Sequence, residues 1–546
     1  MAKKNEDSLK YLQMPLPSGR KYYKTVKRSW CGMNYRQKID TGALSMEKNI
    51  STIEAPYLVP SQKRVALSSS YAHPISLFGF DDFLVAIYRE DAAIRVDYIT
   101  LDESGTVKNT YTSTLQADSA TEDDEYPRCI VQFNVYDTPT DPVTGKYVKK
   151  LLIFPDKKSM DFGITEDDFE IHDMSVLIKE YSNGKAPYTP PDTASHNYYY
   201  KNTYNQDVYK WVDDASDSEN SGWKVSTPPA MPNIKYAAVH LSRLFGVDDD
   251  RVYASGYNDY TNWNLDTVDE YNESNAWCSP AQSNTKAGGK FTGITNFQGH
   301  VVCFKHDYMH EIYNTKNPFR IQDIYAEGAI DQRTIQDVDG KLIFVSEDDV
   351  KIYTGSNPRI IGYYLNISEY ANAVSGTDGR CYYLYCEDAE GEKHLFAYDT
   401  YTEYWSEQSI GETVLAFAHN KAGMYMLCGD GHIYKMDTGV YGQDWSFETD
   451  LVTNETVNIK HIKKLQLFAD IAEGSSIKVY ALYDNEEFDE NTSHLLYQSE
   501  GHGQKPIRVK PRQTANYGLK LHFEGFGYVR LYEMELLTED GGELYA

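Results

Sequence analysis

The sequence predicts an all-β protein: a β-propeller of about seven blades, preceded by an extended N-terminal arm and followed by a C-terminal β-sandwich. Three observations lead there. A hairpin pattern recurs at nearly constant spacing through the middle of the chain, the C-terminal stretch alternates apolar and polar with period two, and Tyr dominates the aromatics, 47 against 20 Phe and 7 Trp. Tyr suits strands that have one buried face and one wet face.

The repeat is read from Gly299, Gly340, Gly379 and Gly423, whose separations are 41, 39 and 44 residues. After each comes a short apolar strand, a polar turn and a second strand reaching a Tyr: Val301–Phe304 to Tyr313, Leu342–Val345 to Tyr353, Cys381–Tyr385 to Tyr398, and Met424–Leu427 to Tyr434. Asp348-Asp349, Glu390-Gly391-Glu392 and Gly429-Asp430-Gly431 supply turn chemistry between the paired strands. Three weaker copies precede these: Gly79 to Tyr98, Gly145 to Phe154, and Arg251–Ala254 after Asp248-Asp249-Asp250. A hairpin at this spacing fits a propeller blade better than a solenoid coil.

The remaining segments are placed around that repeat. Residues 1–67 show no sustained period and are punctuated by Pro15, Pro17, Pro56 and Pro60, which predicts an extended arm. Residues 68–455 form the propeller, interrupted at about 187–232 by a polar, Tyr-rich insertion with Pro190-Pro191, Tyr198-Tyr199-Tyr200 and Pro228-Pro229. Residues 456–546 alternate in Lys464–Phe468, Ile477–Tyr480, Leu519–Phe523 and Val529–Tyr532, the mark of a small β-sandwich.

Charge is unevenly spread. The formal net charge is -28, yet the first fifty residues carry 11 Lys and Arg against 4 Asp and Glu, leaving -35 on the rest. So acidic a body repels nucleic acid, while Lys21, Lys24, Lys27, Arg28, Arg36 and Lys38 make the arm a candidate docking segment for an acidic protein surface or DNA. Seven Cys at scattered positions, without a CxxC, predict buried free thiols rather than a disulfide framework. No apolar run is long enough to span a bilayer, and the N-terminus lacks the apolar core of a signal peptide. The expectation is a protein made and held in a cytoplasm.

Catalytic motifs are missing from the sequence. His306 and His310 stand four apart as helical zinc ligands do, but they flank a hairpin turn and lack the Glu of HExxH, which predicts a solvated turn. Asp217–Gly222 resembles a calcium loop, except that Pro228 takes the position of the bidentate Glu. There is no Walker A loop, GxGxxG, GxSxG elbow or sialidase-type Asp box. No enzyme activity, cofactor or metal is expected.

Three stretches together resemble a known family. Arg243-Leu244-Phe245-Gly246-Val247-Asp248, running through Arg251–Ser255 to Asn262-Trp263, is similar to a motif in tail proteins of tailed bacteriophages. Ile294–Gly299 to Tyr313, then Phe319–Gln322 and the strand ending Tyr353-Thr354-Gly355, continue it. The resemblance is to the tail nozzle, or tail tubular protein B, of short-tailed phages and to related tail stabilisation proteins, over about 230–365 and loosely the last ninety residues. It implies a propeller in a homo-oligomeric ring, a hexamer, around the channel through which double-stranded DNA leaves the capsid. Adaptor, portal or fibre proteins would be its neighbours, and the virion tail, assembled in the host bacterial cytoplasm, its location. Arg243, Phe245, Gly246, Asp248, Trp263, Gly299 and Gly340 would then be structural residues of blades. The arm from Trp30 to Ser45 departs from the nozzle pattern. A receptor- or glycan-binding propeller at the tail tip is the alternative, with the Tyr-rich insertion stacking on sugars.

Overall fold

The computed structural model describes residues 12–15, 21–35, 43–117, 128–137, 146–161, 171–173, 199–201, 207–212, 222–225, 230–265, 275–280, 288–324, 328–453, 459–484, 486–501, 503–509 and 516–540. Arg36, Lys38, Gly145, Asp217 and most of the 187–232 insertion lie outside them. The described residues form strands and two short 3-10 turns, Gln332–Thr334 and Gly362–Tyr364. No helix among them is long and apolar enough to cross a membrane. The chain divides into two compact units, one of Met1–Ser70, Asp348–Val350 and Ile360–Ala546, the other of Tyr71–Glu347 and Lys351–Arg359.

Among the described residues, seven four-stranded antiparallel sheets follow one another along the chain, and in six of them each strand lies beside the next in sequence, the strand order of β-propeller blades. The first strands of the blades begin at His73, Cys129, Tyr236, Gly293, Gln336, Ala371 and Val414. Within a unit, the first strands of successive blades touch: Tyr236–His240 with Gly293–Phe297, and Ala371–Thr377 with Val414–Asn420. Blade cores are built from neighbouring sheets, as in the cluster that joins Phe133 and Leu152 of blade 2 to Phe245 of blade 3 and Val301 of blade 4. Blade 7 takes its fourth strand from far upstream, Val65–Ser70 pairing with His432–Lys435. The described part of the insertion is a three-stranded sheet of Tyr199–Lys201, Asp207–Val212 and Gly222–Val225.

All four repeat glycines sit where a blade's first strand turns into its second. Gly299 and Gly340 are equivalent: each is the second residue of a two-residue turn in which both residues have positive φ, Gln298 (46°) and Gly299 (82°), Asp339 (52°) and Gly340 (70°). Such turns match the twist of the flanking strands, and only Gly takes the second position without strain. Gly379 lies in a longer turn, and Gly423 is shifted one place, opening the second strand.

The sandwich consists of two five-stranded sheets. One runs Leu12–Pro15, Lys21–Lys27, Val529–Asp540, Lys460–Ile471, Gly503–Val509; the other runs Leu44–Lys48, Asp444–Thr449, Leu519–Phe526, Ser476–Tyr483, His494–Glu500. Their inner faces bring Leu465, Leu467, Leu531 and Leu536 against Val479, Phe447, Leu521 and Phe523. Trp30 closes the core edge-on to Phe447 at 5.7 Å.

This corrects the expected N-terminal arm. Lys21–Lys27 pairs in register with Met534–Asp540, Leu44–Lys48 with Ser446–Thr449, and Val65–Ser70 completes blade 7. The pattern was masked because Tyr23, Thr25 and Lys27 point inward, so that one apolar and two polar residues form the buried face. The sandwich accordingly starts at Asp444, not 456, and draws three further strands from the first 50 residues.

Candidate functional site

The family-like residues are all built into blades. Arg243 is buried, and one guanidinium nitrogen donates to the carbonyls of Ser255 (2.6 Å) and Asn275 (2.7 Å), beneath the rings of Tyr257 and Phe319. Burial lowers its pKa to about 10. Phe245 meets Phe319 edge-on at 5.0 Å. Gly246 has no room for a Cβ, because Ile234 occupies that space. Asp248 caps the next turn, accepting from the amides of Asp250 and Arg251 at 2.7 Å and from the Tyr253 hydroxyl at 2.8 Å. Trp263 is buried in the same core. These residues hold a blade together and present no reactive group to solvent.

The basic docking candidates are partly committed within their own unit. Lys24 pairs with Glu535 at 2.8 Å and Arg28 with Glu533 at 3.5 Å. Lys27 is buried over the Trp30 ring, and desolvation lowers its pKa. His306 and His310 do not converge, since His306 faces Glu347 and His310 binds Asp323 at 2.9 Å. His310 is buried, which corrects the expected solvated turn for that residue. All seven cysteines are free, six of them buried.

A chemically richer constellation sits at one corner of blade 6. The turn from its second to its third strand reads Glu387-Asp388-Ala389-Glu390-Gly391-Glu392. Asp388 Oδ1 accepts from the amides of Glu390 (3.0 Å) and Glu392 (2.8 Å), and Gly391 has φ +80° to close the turn. That leaves Asp388 Oδ2 facing His394 Nε2 at 3.4 Å. His394 Nδ1 is 2.9 Å from Glu407 Oε1 on the fourth strand, and this hydrogen bond raises the imidazole pKa. The Tyr35 hydroxyl donates to Glu407 Oε2 at 2.5 Å, and the Glu407 amide donates to Glu47 Oε1 at 3.1 Å. Glu47 is fully buried, and burial pushes the pKa of its carboxyl well above the usual range. Tyr35 is raised for the same reason. Asp388, His394, Glu407, Tyr35 and Glu47 are thus linked in one hydrogen-bonded file.

Sequence reasoning identified Glu390-Gly391-Glu392 only as a turn and missed Asp388, His394, Glu407, Glu47 and Tyr35. An acidic turn with a His two residues beyond was the available signal. Glu407 and Glu47 join it only through strand register and the docking of the N-terminal segment, which spacing does not reveal.

The same unit has a cleft of 680 Å³ beside the second sandwich sheet. Lys48, Asp444, Lys478, Glu490, Glu524 and Phe526 are among its walls. Lys478 bridges Glu490 (2.7 Å) and Glu524 (2.9 Å), and Phe526 is exposed at the lip.

No protein-family model matches the chain, and no curated protein matches it. Among solved structures the chain is similar to a candidate 6-phosphogluconolactonase of Bacteroides uniformis, with 14% identity over 70% of this chain and 94% of that one and a TM-score of 0.32. It is also similar to the WD40 domain of Toxoplasma gondii coronin (8%, 88% and 88%, TM-score 0.25) and to AofleA of Arthrobotrys oligospora (11%, 70% and 95%, TM-score 0.26). Likenesses this weak carry no argument about function.

Proposed function

We propose that this chain is a structural component of a bacteriophage tail, a propeller subunit that assembles into a ring of copies around the DNA exit channel. The observation that carries this reading is the segment Arg243–Trp263. Its residues resemble those of tail nozzle proteins, and here Arg243, Phe245, Gly246 and Asp248 serve one blade's turn and packing, the structural roles that the resemblance implies. A net charge of -28 suits a wall along which DNA slides, because phosphates are retained where Lys and Arg neutralise them. Docking on an adaptor or portal would fall to basic residues other than Lys27, which is buried. Mass measurement and negative-stain imaging of the purified protein test the ring. A closed assembly of 62.4 kDa subunits, six in number for a nozzle, is expected; a chain that stays monomeric at tens of micromolar, alone and with tail extract, overturns it.

A second reading, receptor or glycan binding at the tail tip, draws support from the cleft on the sandwich, where an exposed Phe526 ring stands beside hydrogen-bonding side chains. Saccharides are gripped by that combination of apolar face and polar rim. Binding of host surface polysaccharide by the full chain, lost in Phe526→Ala, would favour this reading over the ring.

A further inference from the structure

The corner turn of blade 6 carries Glu387, Asp388, Glu390 and Glu392 within six residues, with His394 directly after it. One donor atom each from Asp388, Glu392 and His394 lies within 4.8 Å of the other two. We propose that these three side chains form a binding site for a divalent transition cation, Zn²⁺ or Mn²⁺, with water in the remaining positions.

Three features point to an ion. The Asp388 Oδ2 to His394 Nε2 distance of 3.4 Å is long for a hydrogen bond. It is the separation of two ligands each about 2.1 Å from one tetrahedral metal, which comes to about 3.4 Å. Second, His394 Nδ1 is already held by Glu407, and Glu407 by Tyr35, so the imidazole presents Nε2 outward with its orientation fixed. Ligating histidines are usually held in this way by a carboxylate on the far nitrogen. That support comes from the fourth strand and from the N-terminal segment, independently of the turn that supplies the carboxylates. Third, the exposed Glu392 carboxylate makes no hydrogen bond or ion pair among the described residues, so it is free to swing onto an ion.

The donor set selects the metal. One imidazole nitrogen and two carboxylate oxygens suit Zn²⁺ or Mn²⁺, whereas Ca²⁺ takes an all-oxygen shell in which an imidazole nitrogen is a poor ligand. The competing account is an imidazolium held between Asp388 and Glu407, in which Glu392 has no part. Glu392 therefore separates the two.

The full-length protein, stripped with chelator and dialysed, would be titrated calorimetrically with Zn²⁺ or Mn²⁺ alone and with Ca²⁺ as a control. One site for Zn²⁺ or Mn²⁺ is expected, weakened about 10-fold or more in Glu392→Gln. The metal-free melting temperature should match the parent's, since that carboxylate supports nothing in the apo fold. Failure of the parent to bind either transition ion at about 100 μM, or equal affinity in Glu392→Gln, or Ca²⁺ bound as tightly as Zn²⁺, overturns the site.

Discussion

At the scale of single residues, Glu47 shows how a local environment governs behaviour. Its carboxyl is fully buried, one oxygen accepts the Glu407 amide and the other has no partner. Burial raises its folded-state pKa well above the ordinary glutamate value, so the folded chain holds this proton more tightly than the unfolded chain. The stability contributed is fully present below the unfolded pKa of about 4.3 and is lost as pH rises through the raised folded value. Glu47→Gln cannot ionise and keeps an oxygen for the Glu407 amide. It should match the parent in thermal melts at pH 4 and exceed it increasingly toward pH 8; a variant less stable than the parent at pH 8 would refute the raised pKa. Nothing in the sequence around Glu47 marked it as buried, for Leu44-Ser45-Met46-Glu47-Lys48 lies in the stretch whose lack of a sustained period predicts an extended arm. Gly299 and Gly340 were legible, by contrast, because a two-residue turn writes its requirement into the turn itself.

Among elements, the same contrast decides what could be read. The strands of blades 4 to 7 announce themselves as apolar runs bounded by turn residues, and the long sandwich strand Lys460–Ile471 alternates buried with half-buried positions along most of its length. Lys21–Lys27 carries no such signal, because its inward residues include Thr25 and Lys27 while Val26 is only half buried. A basic composition therefore looked like an arm, although the segment pairs directly with the central strand of a five-stranded sheet. Deleting residues 1–50 removes Trp30, Leu44 and Ile50 from the sandwich core. At about 2–5 kcal/mol for each large side chain lost, the total is on the order of 10 kcal/mol, comparable with the whole stability of a domain. The truncated chain should lose the cooperative melting of its sandwich or fail to express in soluble form. If it melts within a few degrees of the full chain, those strands are dispensable.

On the scale of the whole chain, 81 acidic residues against 53 basic ones set how it meets other polyelectrolytes. Lys24 and Arg28 are already paired with Glu535 and Glu533, and the acidic excess opposes the approach of a duplex. Double-stranded DNA should bind weakly at physiological salt, with a shallow dependence of log affinity on log salt. A slope steeper than about -4 would mean several phosphate contacts and would sink the sliding-wall account. The pairing of Val65–Ser70 with His432–Lys435 has a consequence in time as well as in space. The later strand leaves the ribosome about 360 residues after the earlier one, roughly 20–70 s at ordinary elongation rates. Throughout that interval Lys21–Lys27, Leu44–Lys48 and Val65–Ser70 wait for the downstream strands they pair with, Val529–Asp540, Asp444–Thr449 and His432–Lys435. Release of the chain before Val529–Asp540 is made leaves Lys21–Lys27 without its partner. It yields a nascent chain with unmated strand edges, open to chaperones, proteases and other copies of itself.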